Sequence, residues 1–201
     1  MKPWVPALAA LALISCGPLV QIGGNAKPPQ SLLTLSATAT PRPYAGPART
    51  ADTIGIDLPG VPATLQTLRL PVTTNATETS YLVGATWAEQ PNRQFQRLLA
   101  DTLAANGIAV IDARQSAIAP ARSITGSLRS FGLDMTDPAS PVVRVRYDAQ
   151  LSGGKVNAGE VAMRRFDASE PAPSQSPTAV AAALNRAANR VAAEVAAWAQ
   201  G

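Results

Sequence analysis

The chain has 201 residues, 46% of them hydrophobic, and a formal charge of +4, a length that suits one domain with an extension rather than two full domains. It contains no histidine and a single cysteine, which excludes an internal disulfide and removes the usual ligand sets for zinc, copper or non-haem iron. The arginines are scattered along the sequence, so no basic stripe for nucleic acid emerges.

The first unit in chain order is an export signal. Lys2 supplies a short positive region, Trp4 to Ile14 is an apolar run, and Ser15 is the small residue expected before a cut. As a helix this run falls well short of the roughly 30 Å hydrocarbon core, so a permanent span is the weaker reading. Leu13-Ile14-Ser15-Cys16 resembles a bacterial lipobox. The resemblance implies a signal peptide over residues 1–15, thioether linkage of the Cys16 thiol to diacylglycerol, and acylation of the new amino terminus by a palmitate-type chain. Gly17 stands where an aspartate would favour retention, which resembles the set sorted to the periplasmic face of the outer membrane. Each buried CH₂ contributes about 0.8 kcal/mol, so two or three chains hold a protein where one would not. Gly17 to Gln30 is rich in Gly, Pro and polar residues and reads as a flexible tether that reaches at most roughly 45–50 Å. Residues 16–30 are thus the acylated cysteine and its tether, and residues 31–199 the domain.

Within that domain, SLLTLSAT from Ser31 alternates weakly and predicts a first strand. A Pro-rich loop leads to TIGIDLP, Thr53 to Pro59, with Ile54, Ile56 and Leu58 on one face. LQTLRLPV, Leu65 to Val72, places Leu68, Leu70 and Val72 together, and Pro71 predicts that this strand lies at an edge or ends there. Trp87 falls between a strand and a helix, PNRQFQRLLADTLAANG, whose apolar face carries Phe95, Leu98, Leu99, Thr102 and Leu103. Asn106-Gly107 stops it, and Ile108 to Ala113 predicts a short strand. Arg122 to Met135 is strand-like. The next strand alternates strictly, with Val143, Val145, Tyr147, Ala149 and Leu151 opposite Arg144, Arg146, Asp148 and Gln150, the mark of a sheet with one dry and one wet face. Gly153-Gly154 predicts a tight turn into a strand over Gly159 to Asp167. Ser176 and Pro177 open a last helix along Val180, Leu184, Ala187, Val191, Val195 and Trp198, a stripe that packs on the protein's own sheet more readily than on a partner.

The chemistry of common hydrolases has no foothold. With no histidine and the one thiol assigned to lipid, Ser/His and Cys/His arrangements are excluded. Asp52, Asp57, Glu89, Asp101, Asp134 and Asp148 show no spacing that faces two carboxylates across a substrate. The sequence also lacks the GxxxxGK[ST] phosphate cradle. The chain reads as non-catalytic, with no cofactor and no metal.

LQTLRLPV, the stretch YLVGATWAEQPNRQFQRLLADTL with Tyr81, Trp87, Ala88 and Leu98, the strands before RRFDASEP, and the closing ALNRAANRVAAEVAAW together resemble the ABC-type transport auxiliary lipoprotein family, to which PqiC-like outer-membrane lipoproteins belong. The resemblance implies an α+β fold, a mainly antiparallel sheet with two helices packed on one face. It implies partners as well: an MCE-type substrate-binding protein, an ABC permease and its ATPase, working together to move lipids or other hydrophobic compounds between the inner and outer membranes. An annular homo-oligomer around a conduit is compatible with those partners. Tyr81, Trp87 and Trp198 are candidate partner contacts or structural anchors, and Arg144, Arg146, Arg164 and Arg165 could meet an acidic partner or lipid headgroups, or form a solvated face. An envelope-assembly lipoprotein unconnected with transport is the rival reading.

The Cys16 assignment predicts that Cys16→Ala abolishes membrane retention and changes gel mobility. Unchanged retention and mobility in fractionated cells would remove acylation as the anchor.

Overall fold

The computed structural model describes residues 31–43, 46–112, 115–156 and 159–201. Cys16, the signal and the tether lie outside the described residues. In chain order the elements are β1 (Thr53–Ile56), β2 (Arg69–Asn75), β3 (Glu78–Thr86), α1 (Pro91–Ala105), β4 (Ala109–Val110), β5 (Arg122–Asp134), β6 (Val142–Gly153), β7 (Ala162–Pro171) and α2 (Pro177–Gln200). The strands form one seven-stranded sheet, and the fold is α+β with its long ladders antiparallel, β5 on β6 and β6 on β7.

β5 is the spine. Along one edge it pairs with β6 from Arg122↔Gly153 to Asp134↔Val142. Its other edge is shared by parallel partners: β1 at one end, with Ile54↔Arg122, an isolated bridge Gly60↔Ser127, and β2 at the far end, with Val72↔Leu133. β3 extends the sheet beyond β2, and β4 extends it beyond β1.

Strand alternation decides where the core sits. Val143, Val145, Tyr147 and Ala149 of β6, with Phe166 and Ala168 opposite them on β7, are buried. α2 packs on β6 and β7, and α1 packs on α2 and against the same face, where the Phe95 ring meets Tyr147 edge-on at 5.2 Å. Ala183, Ala187, Ala188, Ala192, Ala196 and Ala199 of α2 are buried and keep that helix close to the sheet. Ser176 Oγ accepts from the Ala179 N–H at 3.4 Å, capping its start. α1 ends at Asn106, where the Ile108 N–H bonds back to the Leu103 carbonyl at 3.1 Å.

Several sequence expectations need correction. Ser31 to Thr38 is no strand; it makes a single bridge, Leu33↔Trp87, because side chains of the helices take up its backbone groups, as described below. β1 stops at Ile56, short of Pro59, whose carbonyl is held by Asn92 Nδ2 at 3.1 Å. Leu65 belongs to a 3-10 turn and Leu68 is 42% exposed, since β2 starts only at Arg69. The strand after Asn106-Gly107 is reduced to β4. β7 begins at Ala162 and runs to Pro171, so the connection from Gly153 is longer than a tight turn. Gly153 has φ 79°, and a Cβ there would lie 2.2 Å from the Ala121 carbonyl oxygen, so it is glycine that lets β6 end beside the start of β5.

Pro71 neither lies on an edge nor ends its strand, for β2 lies between β3 and β5 and runs on to Asn75. It is tolerated because pairing with β5 begins at Val72 and the β2–β3 register shifts between Arg69 and Pro71. Gly132 of β5 makes room for it: a Cβ on Gly132 would sit 2.5 Å from the Pro71 carbonyl oxygen. We expect Gly132→Ala to lower unfolding stability by roughly 1–3 kcal/mol in denaturant titrations. A loss below about 0.5 kcal/mol would show that β2 shifts freely.

Candidate functional site

Trp87 sits at the joint between β3 and α1 and is fully buried. Its N–H donates to the Leu68 carbonyl at 2.7 Å, and its ring meets Phe131 at 5.5 Å. Its indole Nε1 has no hydrogen-bond partner among the described residues. The incoming chain is fastened on either side of this residue: the Leu33 N–H donates to the Thr86 carbonyl at 2.8 Å, and the Ala88 N–H to the Leu33 carbonyl at 2.9 Å.

From Leu33 the chain runs as a strap over the two helices. The Leu35 N–H donates to Gln94 Oε1 at 2.7 Å, and Gln94 Nε2 is itself tied to the Glu89 carbonyl at 2.9 Å. The Ser36 N–H donates to Asn185 Oδ1 at 2.9 Å. The Thr38 N–H donates to Asn189 Oδ1 at 2.8 Å, while Asn189 Nδ2 donates to the carbonyls of Ser36 at 2.9 Å and Asn185 at 2.8 Å. Side-chain amides thus do what a neighbouring strand would do, satisfying three backbone donors and one acceptor. The sequence reading missed Gln94, Asn185 and Asn189. The available signal was an Asn pair spaced by four in an alanine-rich helix, and a glutamine on the apolar face of α1, each in a place where an unpaired amide is costly.

The other two aromatic candidates stand apart from this joint. Tyr81, on β3, is half-buried with the Arg69 guanidinium 4.1 Å from its ring centroid. Trp198 is half-buried, meets Phe166 edge-on at 5.6 Å, and borders a cleft of about 410 Å³ with Arg122, Leu151, Lys155 and Val156. Tyr81, Trp87 and Trp198 therefore have three separate surroundings and do not make one site.

The wet face of β5, β6 and β7 carries ion pairs. Asp148 accepts from Arg165 at 2.6 and 3.0 Å and from Arg129 at 3.3 Å. Arg144 reaches Asp134 at 3.2 Å, and Arg146 donates through Nε to Asp167 at 2.6 Å. The Arg165 hydrogen bond holds the Asp148 carboxyl below the usual range against its own desolvation. Burial pushes Asp134 upward, but hydrogen bonds from Thr136 and the Arg144 charge together outweigh it and leave the pKa lowered. Arg164 points to the other side of β7, 5.1 Å from the Phe166 ring centroid. On the helix side of β7, Glu170 pairs with Arg186 and Arg190 of α2. Burial pushes the Tyr147 phenol well above its ordinary pKa, so it stays neutral in the core. Among the described residues no three His, Cys, Asp or Glu side chains gather as a metal site, and no helix is long and apolar enough to cross a membrane.

Residues 33–196 match the family described as ABC-type transport auxiliary lipoprotein component. A crystal structure of a Xanthomonas campestris protein is similar in fold, with TM-score 0.70 and 22% identity over 84% of this chain and 93% of that one. A second crystal structure, of an uncharacterized protein, has TM-score 0.59 and 11% identity over 84% of this chain and 99% of that one. Comparison with curated proteins gives no match.

The strap geometry predicts that Asn189→Ala costs roughly 1 kcal/mol of stability and exposes the Thr38 amide to hydrogen exchange, while the Leu33 amide keeps its protection. Equal protection at Thr38 in variant and wild type would show that the strap holds without the amide.

Proposed function

The chain belongs to the ABC-type transport auxiliary lipoprotein family, and from that membership we propose that it is a non-catalytic, lipid-anchored accessory subunit of an ABC transporter working with an MCE-type protein. The observation that carries this reading is the extent of the match, which begins at Leu33, where the strap joins the domain, and runs to Ala196 near the end of α2. In this reading Cys16 is the acylated anchor at the outer membrane, residues 17–30 are the tether, and residues 31–199 are the part that partners recognise. The transported compound is a lipid or another hydrophobic molecule.

The layout of the domain supports a holding role. The strap fastens the incoming chain through backbone bonds beside Trp87 and through three helix amides, so a chain tied to lipid at one end is tied to a rigid body at the other. The ATPase and permease supply the energy conversion and the membrane passage, and this subunit supplies position. Tyr81 and Trp198, half-buried, are available as rim contacts; the Trp87 ring serves the joint.

Co-purification from mildly detergent-solubilised membranes tests the reading. Tagged full-length protein should bring down an ABC permease, its ATPase or an MCE-type protein. Recovery of none of them, with envelope-assembly components in their place, would overturn the transport assignment in favour of an assembly role.

A further inference from the structure

The two faces of the sheet are covered unequally. One lies under α1 and α2, while the other presents Arg129, Arg144, Arg146 and Arg165 together with Asp134, Asp148 and Asp167. A guanidinium carries five N–H donors and no acceptor, whereas an ionised carboxylate only accepts. All three carboxylates are already engaged, Asp148 by two arginines at once. What the face still offers to an incoming molecule is therefore donors. Among the described residues Arg129 makes one contact, through Nε at 3.3 Å, and the Arg129 and Arg165 side chains are each 62% exposed. Beside them Met163, across from Gln150 in the β6–β7 register, is 72% exposed. Arginine and methionine are both enriched at protein interfaces.

Carboxylates and phosphates both fit a surface of spare guanidinium donors. The route of the chain favours the former. The strap joins the domain at Leu33 beside Trp87, whose ring packs on Phe131 of the covered face, and runs on over Gln94, Asn185 and Asn189, so the described chain enters on the side opposite the arginine face. We propose that this face is the docking surface for an acidic segment of a partner protein, whose carboxylates are gripped by paired N–H groups in the manner that Arg165 grips Asp148. The proposal rests on the accessory-subunit reading and names the surface and the partner chemistry behind it. Screening by salt follows, because the pairs form at the surface.

The test uses tagged full-length protein, with the recovered ABC or MCE component quantified at low and raised salt. The double variant Arg129→Gln/Arg165→Gln should reduce recovery about tenfold. Gln150→Glu, which removes no ion pair and adds a like charge among the incoming carboxylates, should do the same and remains readable if the double variant fails to fold. Arg93→Gln, on the exposed side of α1, should leave recovery unchanged. If wild type recovers no transport component, the accessory reading itself fails. If wild type recovers one and both face variants recover as much, or Arg93→Gln loses as much, the docking face is overturned. Flotation of the Cys16→Ala protein with phosphatidylglycerol vesicles, abolished by Arg129→Gln/Arg165→Gln, would assign the face to lipid headgroups and also overturn the proposal.

Discussion

The structure depends on keeping one face of the β5–β6–β7 ladder dry. Val143, Val145, Tyr147, Ala149 and Leu151 project from β6 to one side, and a strand repeat of two leaves Arg144, Arg146 and Asp148 no choice but the other. A slip of one residue in the β5–β6 register would exchange the two sets. Everything else answers this constraint: α2 brings small alanines so that it can lie close, α1 brings Phe95 to the Tyr147 ring, and Trp87 fills the corner where β3 turns into α1. The charged face is the other side of the same arithmetic.

Much of this was legible in the sequence because it is local. The β6 alternation, the apolar stripes of both helices and the Ser176-Pro177 start are patterns over a few residues, and each appears where its period placed it. The parts that were not legible depend on distant pairings. Pro71 reads as an edge residue by its missing N–H, yet β2 is interior because Gly132 clears space for it from another strand. β5 shares one edge between two parallel partners and a lone bridge, and no periodicity announces such a division.

The strap is the plainest case. Its weak alternation resembles a strand, and its backbone is bonded, but from Leu35 on its partners are side chains 59 to 151 residues away. Beyond Leu33 helix amides rather than a strand edge meet it, so neither the type of element nor its neighbours could be read from SLLTLSAT. The aromatic candidates differ likewise. Tyr81, Trp87 and Trp198 share a residue class, but an arginine, a phenylalanine in the core and a cleft wall give them three different surroundings.

The two backbone bonds at Leu33 have a mechanical consequence. A pull along the chain from the residue 31 side meets those bonds before it meets the amides of α1 and α2, and they clasp the residues on both sides of Trp87. The load passes straight into the sheet, where the indole is wedged against Phe131. Such a pull would move the domain as one body from that corner, with the helix amides shielded from peeling until its two bonds give way.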